Sequence, residues 1–286
     1  MAKALSEQDL NEYETLRLPY PRLAESSFLS GTIEIPVITD EVLYATCGTR
    51  VAFTTRTGGV SQGVYGELNL FYGVGDDPVA IEANRRMLCD ALGAAHAYDS
   101  LIAPKQVHGN TCIEVGDIER TKRLGQDGAD GVICTLCDVP VLLCSGDCVI
   151  VVLVAPTGAF AVVHAGWRGA IAHIAEIGLT KLARATGCST SEINCYIGPH
   201  IGACCYEVDS GLLKRFVSEF GDDCDAGNSH LDLKTAVTCS LMRGGADRKR
   251  IANTGYCTSC HSEKFFSFRA QGGTCGRHGA FAFLRE

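Results

Sequence analysis

The spacing of apolar and polar positions changes several times along the 286-residue chain, and each change predicts a different element. The first 32 residues read as an N-terminal arm or lead-in, followed by one domain over 33–286. The runs TIEIPVI, EVLYATC and VAFTTR are short and β-like, broken by polar residues. Glycines cluster at Thr57-Gly58-Gly59 and Gly63–Gly66 and predict a loop. A helix is expected after Asp77, which can cap it, with Pro78 at its first position and Ile81, Leu88 and Leu92 on its buried side.

The middle of the chain is strand-rich: LIAPKQVHG, NTCIEV, DGVICTL, PVLLC, VIVVLVA and FAVVHAG. An unbroken apolar run such as VIVVLVA implies a strand covered on both faces. Val139–Ala155 is interrupted by Ser-Gly-Asp and is too short for a membrane span, so it reads as two strands around a turn. Helical spacing returns over Gly169–Thr186, then over Asp209–Phe220 and Asp232–Met242, with strands at INCYIG, near Arg250 and at AFAFL. Alternating strands and helices predict an α/β fold: a single compact domain with a mixed, largely buried β-sheet region covered by helices.

Composition narrows the function. Hydrophobic residues make up 46% and charged residues 20%, which excludes a disordered chain. A net charge of −8 argues against nucleic-acid or anionic-membrane partners but is compatible with small anionic substrates. The polar, acidic start MAKALSEQDLNEYETLRLPYP lacks a basic segment followed by an apolar one, so a cytoplasmic location is expected. That location and the chain's size make a disulfide scaffold an unsuitable role for its 16 cysteines. Cys47, Cys89, Cys134 and Cys195 lie in apolar surroundings and are expected to be small core hydrophobes. Cys257 and Cys260 have redox-like CTSC spacing but lack the βαβ context of a dithiol enzyme.

Candidate chemistry collects in three short texts. KQVHG puts His108 where an apolar run meets Gly109, GDC puts Cys148 at the turn between two apolar strands, and VVHAGWRG puts His164 at a strand end. Two imidazoles and a thiolate form a good zinc donor set that leaves a fourth position for water or substrate. The residues alone leave other readings open: two separate core histidines and a buried thiol, a closed structural zinc site, or a Cys–His amide or peptide hydrolase with Cys148 as nucleophile and His164 as base. The glycine texts complete neither a Rossmann fingerprint nor a P-loop, and the His-x-Glu and Pro-Cys-x-x-Cys pair of zinc deaminases is missing.

VHAGWRG, KQVHG, the Ala129-Asp130-Gly131 triplet and the ending FFSFRAQGGTCGR together resemble the bacterial polyphenol oxidase or laccase-domain family, now described as purine nucleoside phosphorylases. The resemblance runs from about Phe53 to the C-terminus. It implies a single α/β domain and a zinc site made by His108, Cys148 and His164. It also implies phosphorolysis of adenosine and inosine, with methylthioadenosine and adenosine deamination as related activities. Copper is the alternative ion that the oxidase name implies, but one mononuclear site is poorly suited to four-electron oxygen reduction. The family's Ala-Asp-Cys-x-Pro becomes Gly146-Asp147-Cys148-Val149-Ile150 here, keeping the ligand and losing the proline. Arg56 and Asn69 resemble family site residues, for phosphate and for substrate or loop respectively. Arg168, Arg269 and Arg277 are further candidates for anion binding, and Trp167 for stacking on a base. Asp147 is a candidate for acid–base duty, ligand orientation or turn stabilisation. The family mechanism gives no role to Cys204, Cys205, Cys257 or Cys260.

Overall fold

A two-residue turn at Gly31-Thr32 joins the first two strands, β1 (Ala24–Ser30) and β2 (Ile33–Thr39), which pair antiparallel along their whole length. Gly31 has φ 59, a left-handed conformation suited to glycine and to the twist of a hairpin. The structure is a computed structural model that describes residues 17–286. β1 therefore lies inside the stretch read as a lead-in, whose first 16 residues fall outside the described ones.

EVLYATC, expected as a strand, is instead helix α1 (Glu41–Cys47). Its termini override β propensity: the Asp40 side chain accepts a hydrogen bond from the Leu43 N–H, and Gly48 closes the helix at φ 74. The chain continues into β3 (Thr49–Thr54), then α2 (Pro78–Ala91), capped by Asp77 as anticipated. LIAPKQVHG is also not a strand; only Ile102 makes a bridge, to Val141. Pro104 lacks an N–H, and the N–H groups of residues 107–109 turn toward a buried carboxylate, leaving none for a ladder. Gln106 substitutes its side chain for a strand partner, donating to the Cys144 carbonyl and accepting from the Cys144 N–H at 2.8 Å each.

Beyond β4 (Cys112–Glu114), a helix that the apolar pattern did not announce, α3 (Ile118–Asp127), leads to β5 (Gly131–Cys134). β6 (Val141–Ser145) and β7 (Val149–Val154) flank the Gly146-Asp147-Cys148 turn, and β8 (Phe160–Ala165) follows. The helix expected over Gly169–Thr186 is two, α4 (Trp167–Ile171) and α5 (Ile174–Thr186). His173 breaks it with a left-handed φ of 58. β9 (Asn194–Ile197), α6 (Ser210–Phe220), α7 (Leu233–Arg243), β10 (Ile251–Asn253) and β11 (His278–Leu284) complete the chain.

The strands form two sheets, an antiparallel one in the order β1-β2-β3-β11-β6 and a mixed one in the order β10-β9-β7-β8-β5-β4. They stack, and alternate residues serve different cores. Ile150, Val152 and Val154 of β7 meet Val51, Leu143 and Ala282 between the sheets. Val149, Val151 and Leu153 face Leu179 of α5 and Val237 of α7. The outer face of the five-stranded sheet packs Phe281 and Phe283 against Leu88 and Cys89 of α2. The central strands of both sheets, such as β3, β7, β8 and β11, are thus buried on both faces, which accounts for the unbroken apolar runs. Among the described residues no helix is long and apolar enough to cross a membrane.

Asp40 is the main polar tie of this scaffold. It is fully buried and accepts from the Leu43 N–H, the Arg22 N–H and the Tyr196 hydroxyl at 2.7–2.9 Å. Asp40→Ala is expected to cost about 3 kcal/mol, because several buried donors lose their acceptor. Asp209→Ala, which removes an exposed cap of α6, should cost only about 1 kcal/mol. Urea unfolding of both variants checks this, and equal shifts would contradict the role given to Asp40.

Candidate metal and substrate site

The site begins with a carboxylate that has no access to water. Asp130 is 0% exposed and accepts from the backbone N–H groups of Val107, His108 and Gly109 at 3.2, 2.9 and 2.8 Å. Wrapping three successive N–H groups around one anion requires a left-handed residue, and His108 takes it at φ 60. The same carboxylate accepts a 2.8 Å hydrogen bond from His164 Nδ1. Burial works to raise the Asp130 pKa, but the His164 and backbone bonds outweigh it and hold the carboxyl below its ordinary value. His164, in β8, is thereby fixed in rotation and in tautomer, with Nε2 left for another partner.

That partner lies across the sheet sandwich. The turn from β6 to β7 passes from one sheet to the other and delivers Cys148 beside the two imidazoles. The donor atoms of His108, Cys148 and His164 all fall within 4.8 Å of one another, and the two rings meet edge to face with centroids 4.9 Å apart. Gly166 sits beneath all three. A methyl there would lie 2.9 Å from His108 Cδ2 and 3.2 Å from the Cys148 sulfur, so the space belongs to the cluster.

Electrostatics bind the three together. Burial alone would push the Cys148 thiol up, but the neighbouring His164 charge and a hydrogen bond with His108 bring it down to about 6. Burial would lower the His164 pKa, yet the Cys148 sulfur and Asp130 raise it to about 9. Without a metal, each group thus favours the charged form of the other, the sulfur as thiolate and the ring as imidazolium. A divalent ion would displace the His164 Nε2 proton, and the resulting set of one thiolate and two neutral imidazoles, with donor atoms within 4.8 Å of one another, fits a borderline-soft metal.

The cluster opens into a cavity of about 470 Å³, within the range of small-molecule sites. Arg168, Arg269 and Arg277 line it, as do Phe71, Trp167, Tyr206 and Phe268. The structure thus gathers most of the sequence candidates but leaves two outside. Arg56 does not line the cavity: its guanidinium donates to the carbonyls of Gly66 and Ser262 and stacks 4.5 Å from the Phe266 ring. Asn69 is fully buried and ties loops together, donating to Asp76 at 2.9 Å and accepting from the Arg277 N–H at 2.9 Å. Asp147 borders the cavity with both carboxylate oxygens engaged, by the Thr258 hydroxyl at 2.6 Å and the Arg269 N–H at 2.7 Å. Its φ of 109 makes it the strained residue of the crossing turn. Asp130 has no place among the sequence candidates, although its triplet is part of the family resemblance. Its only local signal is a lone acid between small residues at the start of an apolar strand.

The sequence profile of the multi-copper polyphenol oxidoreductase laccase family matches residues 50–285. The chain belongs to this family. As an enzyme of that family it is 34% identical over 253 residues to purine nucleoside phosphorylase YlmD of Geobacillus stearothermophilus, covering 84% of this chain and 91% of the relative. It is 31% identical over 242 residues to adenosine deaminase RL5 from an unknown prokaryotic organism, covering 79% and 90%. The crystal structure of YlmD from Geobacillus stearothermophilus superposes with a TM-score of 0.79 at 30% identity, covering 92% of this chain and all of that one.

The charge pairing yields a direct test. In metal-stripped protein, alkylation of Cys148 by iodoacetamide, followed by peptide mapping, should have a pH midpoint near 6, because the thiolate persists down to that pH. Asp130→Asn should move the midpoint upward, since His164 then loses the carboxylate that helps hold its proton. A wild-type midpoint near 9, the ordinary thiol value, would contradict the pairing.

Proposed function

We propose that the chain is a zinc-dependent purine nucleoside phosphorylase that converts adenosine or inosine and inorganic phosphate into free base and ribose 1-phosphate. The observation that carries this reading is the juxtaposition of the His108–Cys148–His164 cluster with a cavity bordered by three arginines and four aromatic rings. The likeness to a named purine nucleoside phosphorylase over most of both chains supports it.

In this reading His108, Cys148 and His164 hold the ion, which when bound supplies Lewis-acid polarisation to a substrate oxygen. Arg168, Arg269 and Arg277 gather the phosphate dianion, and guanidinium forks can grip two of its oxygens at once. Arg277 and Arg269 are held in place by the Cys275 and Glu207 carbonyls, which reduces the ordering needed when phosphate arrives. Phe71, Trp167, Tyr206 and Phe268 offer flat apolar surface to a purine. Trp167 and Arg168 already stack, with the guanidinium 4.2 Å from the ring, so base and phosphate subsites adjoin at the start of α4. Attack by a phosphate oxygen at C1′ breaks the bond to the base while positive charge builds on the sugar. The arginines orient the nucleophile, and the cavity walls limit the water that would compete with it.

Asp147, Arg56 and Asn69 act as positioning residues here. Asp147 fixes the turn that presents Cys148, Asn69 joins the Phe71 loop to Arg277, and Arg56 joins the glycine-rich loop to the C-terminal loop. A second reading rests on the lowered Cys148 pKa: with His164 as its partner, the sulfur could act as a hydrolytic nucleophile.

Product analysis separates these readings. Incubated with inosine or adenosine, zinc-loaded protein is expected to release free base only when phosphate is present, with ribose 1-phosphate as co-product. Chromatography with and without phosphate reads this out. Inosine formed from adenosine without phosphate would show a companion deamination. Free ribose, or no turnover of any purine nucleoside by folded, metal-loaded protein, would overturn the proposal.

A further inference from the structure

Away from the cavity cluster, a second group of donors comes together from residues far apart in sequence. Cys204 and Cys205 sit in a tight turn after β9, closed by bonds from the Cys205 and Tyr206 N–H groups to the Gly202 carbonyl at 2.9 and 3.0 Å. Cys257 and Cys260 sit in another turn after β10, closed by the His261 N–H on the Cys257 carbonyl at 3.0 Å. A bridge between His200 and Cys257 aligns the two turns, and the Thr258 N–H donates to the His200 carbonyl at 2.9 Å. All four sulfurs lie within 4.8 Å of one another.

We infer that Cys204, Cys205, Cys257 and Cys260 form a four-thiolate zinc site, separate from the cavity cluster and independent of the activity proposed above. The spacing matches the ion. Zinc–sulfur bonds of about 2.3 Å in a tetrahedron place the sulfurs about 3.8 Å apart. Here Cys260 Sγ lies 3.5 Å from Cys204 Sγ and 3.4 Å from Cys205 Sγ. These sulfurs are not bonded as disulfides, and all four cysteines are free. The Gly202 N–H points at Cys257 Sγ from 3.2 Å, the kind of backbone donor that stabilises a metal-bound thiolate. Gly202 itself leaves room: a methyl there would come 3.2 Å from both Cys204 Sγ and Cys257 Cβ.

Two members of this group are the only exposed cysteines among the described residues. Cys204 and Cys260 are exposed and Cys205 and Cys257 half-buried, whereas Cys47, Cys89, Cys134 and Cys195 are buried among apolar neighbours as the sequence implied. An ion can therefore enter from solvent. Binding forms four zinc–sulfur bonds and releases the thiol protons to water, with no change in oxidation state. Four thiolates leave no open position, which marks a structural site rather than a second catalytic one. It would clamp the turn leading to Tyr206, on the cavity wall, to the turn whose Thr258 hydroxyl holds Asp147.

The test is metal content of the whole chain, purified with reductant and analysed by mass spectrometry. Wild type is expected to carry two zinc ions per chain. Cys257→Ser/Cys260→Ser should retain one, and His108→Ala/His164→Ala should retain the other. A wild type with a single zinc that persists in His108→Ala/His164→Ala and disappears in Cys257→Ser/Cys260→Ser would refute the cavity metal and leave this site standing. Because a serine variant can fail to fold, cobalt loading of the His108→Ala/His164→Ala protein supplies a second readout. It should give sulfur-to-cobalt absorption of a four-thiolate ion, abolished by the single exposed change Cys260→Ser. An undiminished zinc count in Cys257→Ser/Cys260→Ser, or no such absorption, would overturn the inference.

Discussion

The buried carboxylate of Asp130 is the constraint on which the rest of the site depends. An anion removed from water must be surrounded by donors, and this one takes three backbone N–H groups and one imidazole. Meeting that demand forces His108 into a left-handed conformation, stops the preceding segment from joining a sheet, and orients His164. Both histidines are therefore arranged by one side chain that does not itself face the cavity. The Cys148 sulfur lies on the other side of His164, so the imidazole is held between two acidic groups that both favour its charged form.

The two stacked sheets make this arrangement rigid. β6 belongs to one sheet and β7 to the other, so the turn between them must cross the sandwich, and it carries Cys148. Its geometry is held by Asp147, whose oxygens reach the Thr258 hydroxyl and the Arg269 backbone, both late in the chain. Three parts of the sequence thus converge on one turn, and the cavity forms where they meet.

Much of this was legible in the sequence because the strongest signals were local. VIVVLVA and FAVVHAG read as strands buried on both faces, and Asp77-Pro78 announced its helix. His108, Cys148 and His164 were named from turns and strand ends, with the family resemblance choosing among the alternatives. The misreadings have local causes too. EVLYATC has β-forming residues, but its caps decide for helix; KQVHG reads as a strand end because the long-range pull of Asp130 is invisible in the text. Arg56 reads as a phosphate ligand by motif, whereas the fold brings three of its donors to the Gly66 and Ser262 carbonyls, outside the cavity lining. The convergence of Cys204-Cys205 with Cys257 and Cys260 was likewise beyond reach, since CTSC alone carries no partner 52 residues away.

If the Asp130-braced cluster holds the metal of the proposed phosphorolysis, activity must follow the occupancy of that cluster. The most direct test is a metal titration of activity in protein stripped by chelator and refilled stepwise with zinc. Phosphate-dependent base release should be absent in the stripped protein and rise in proportion to zinc bound at the His108–Cys148–His164 site, reaching a plateau when that site is full. Full activity in the stripped, folded protein would show that the cluster works without a metal and that the proposed role of the ion is wrong.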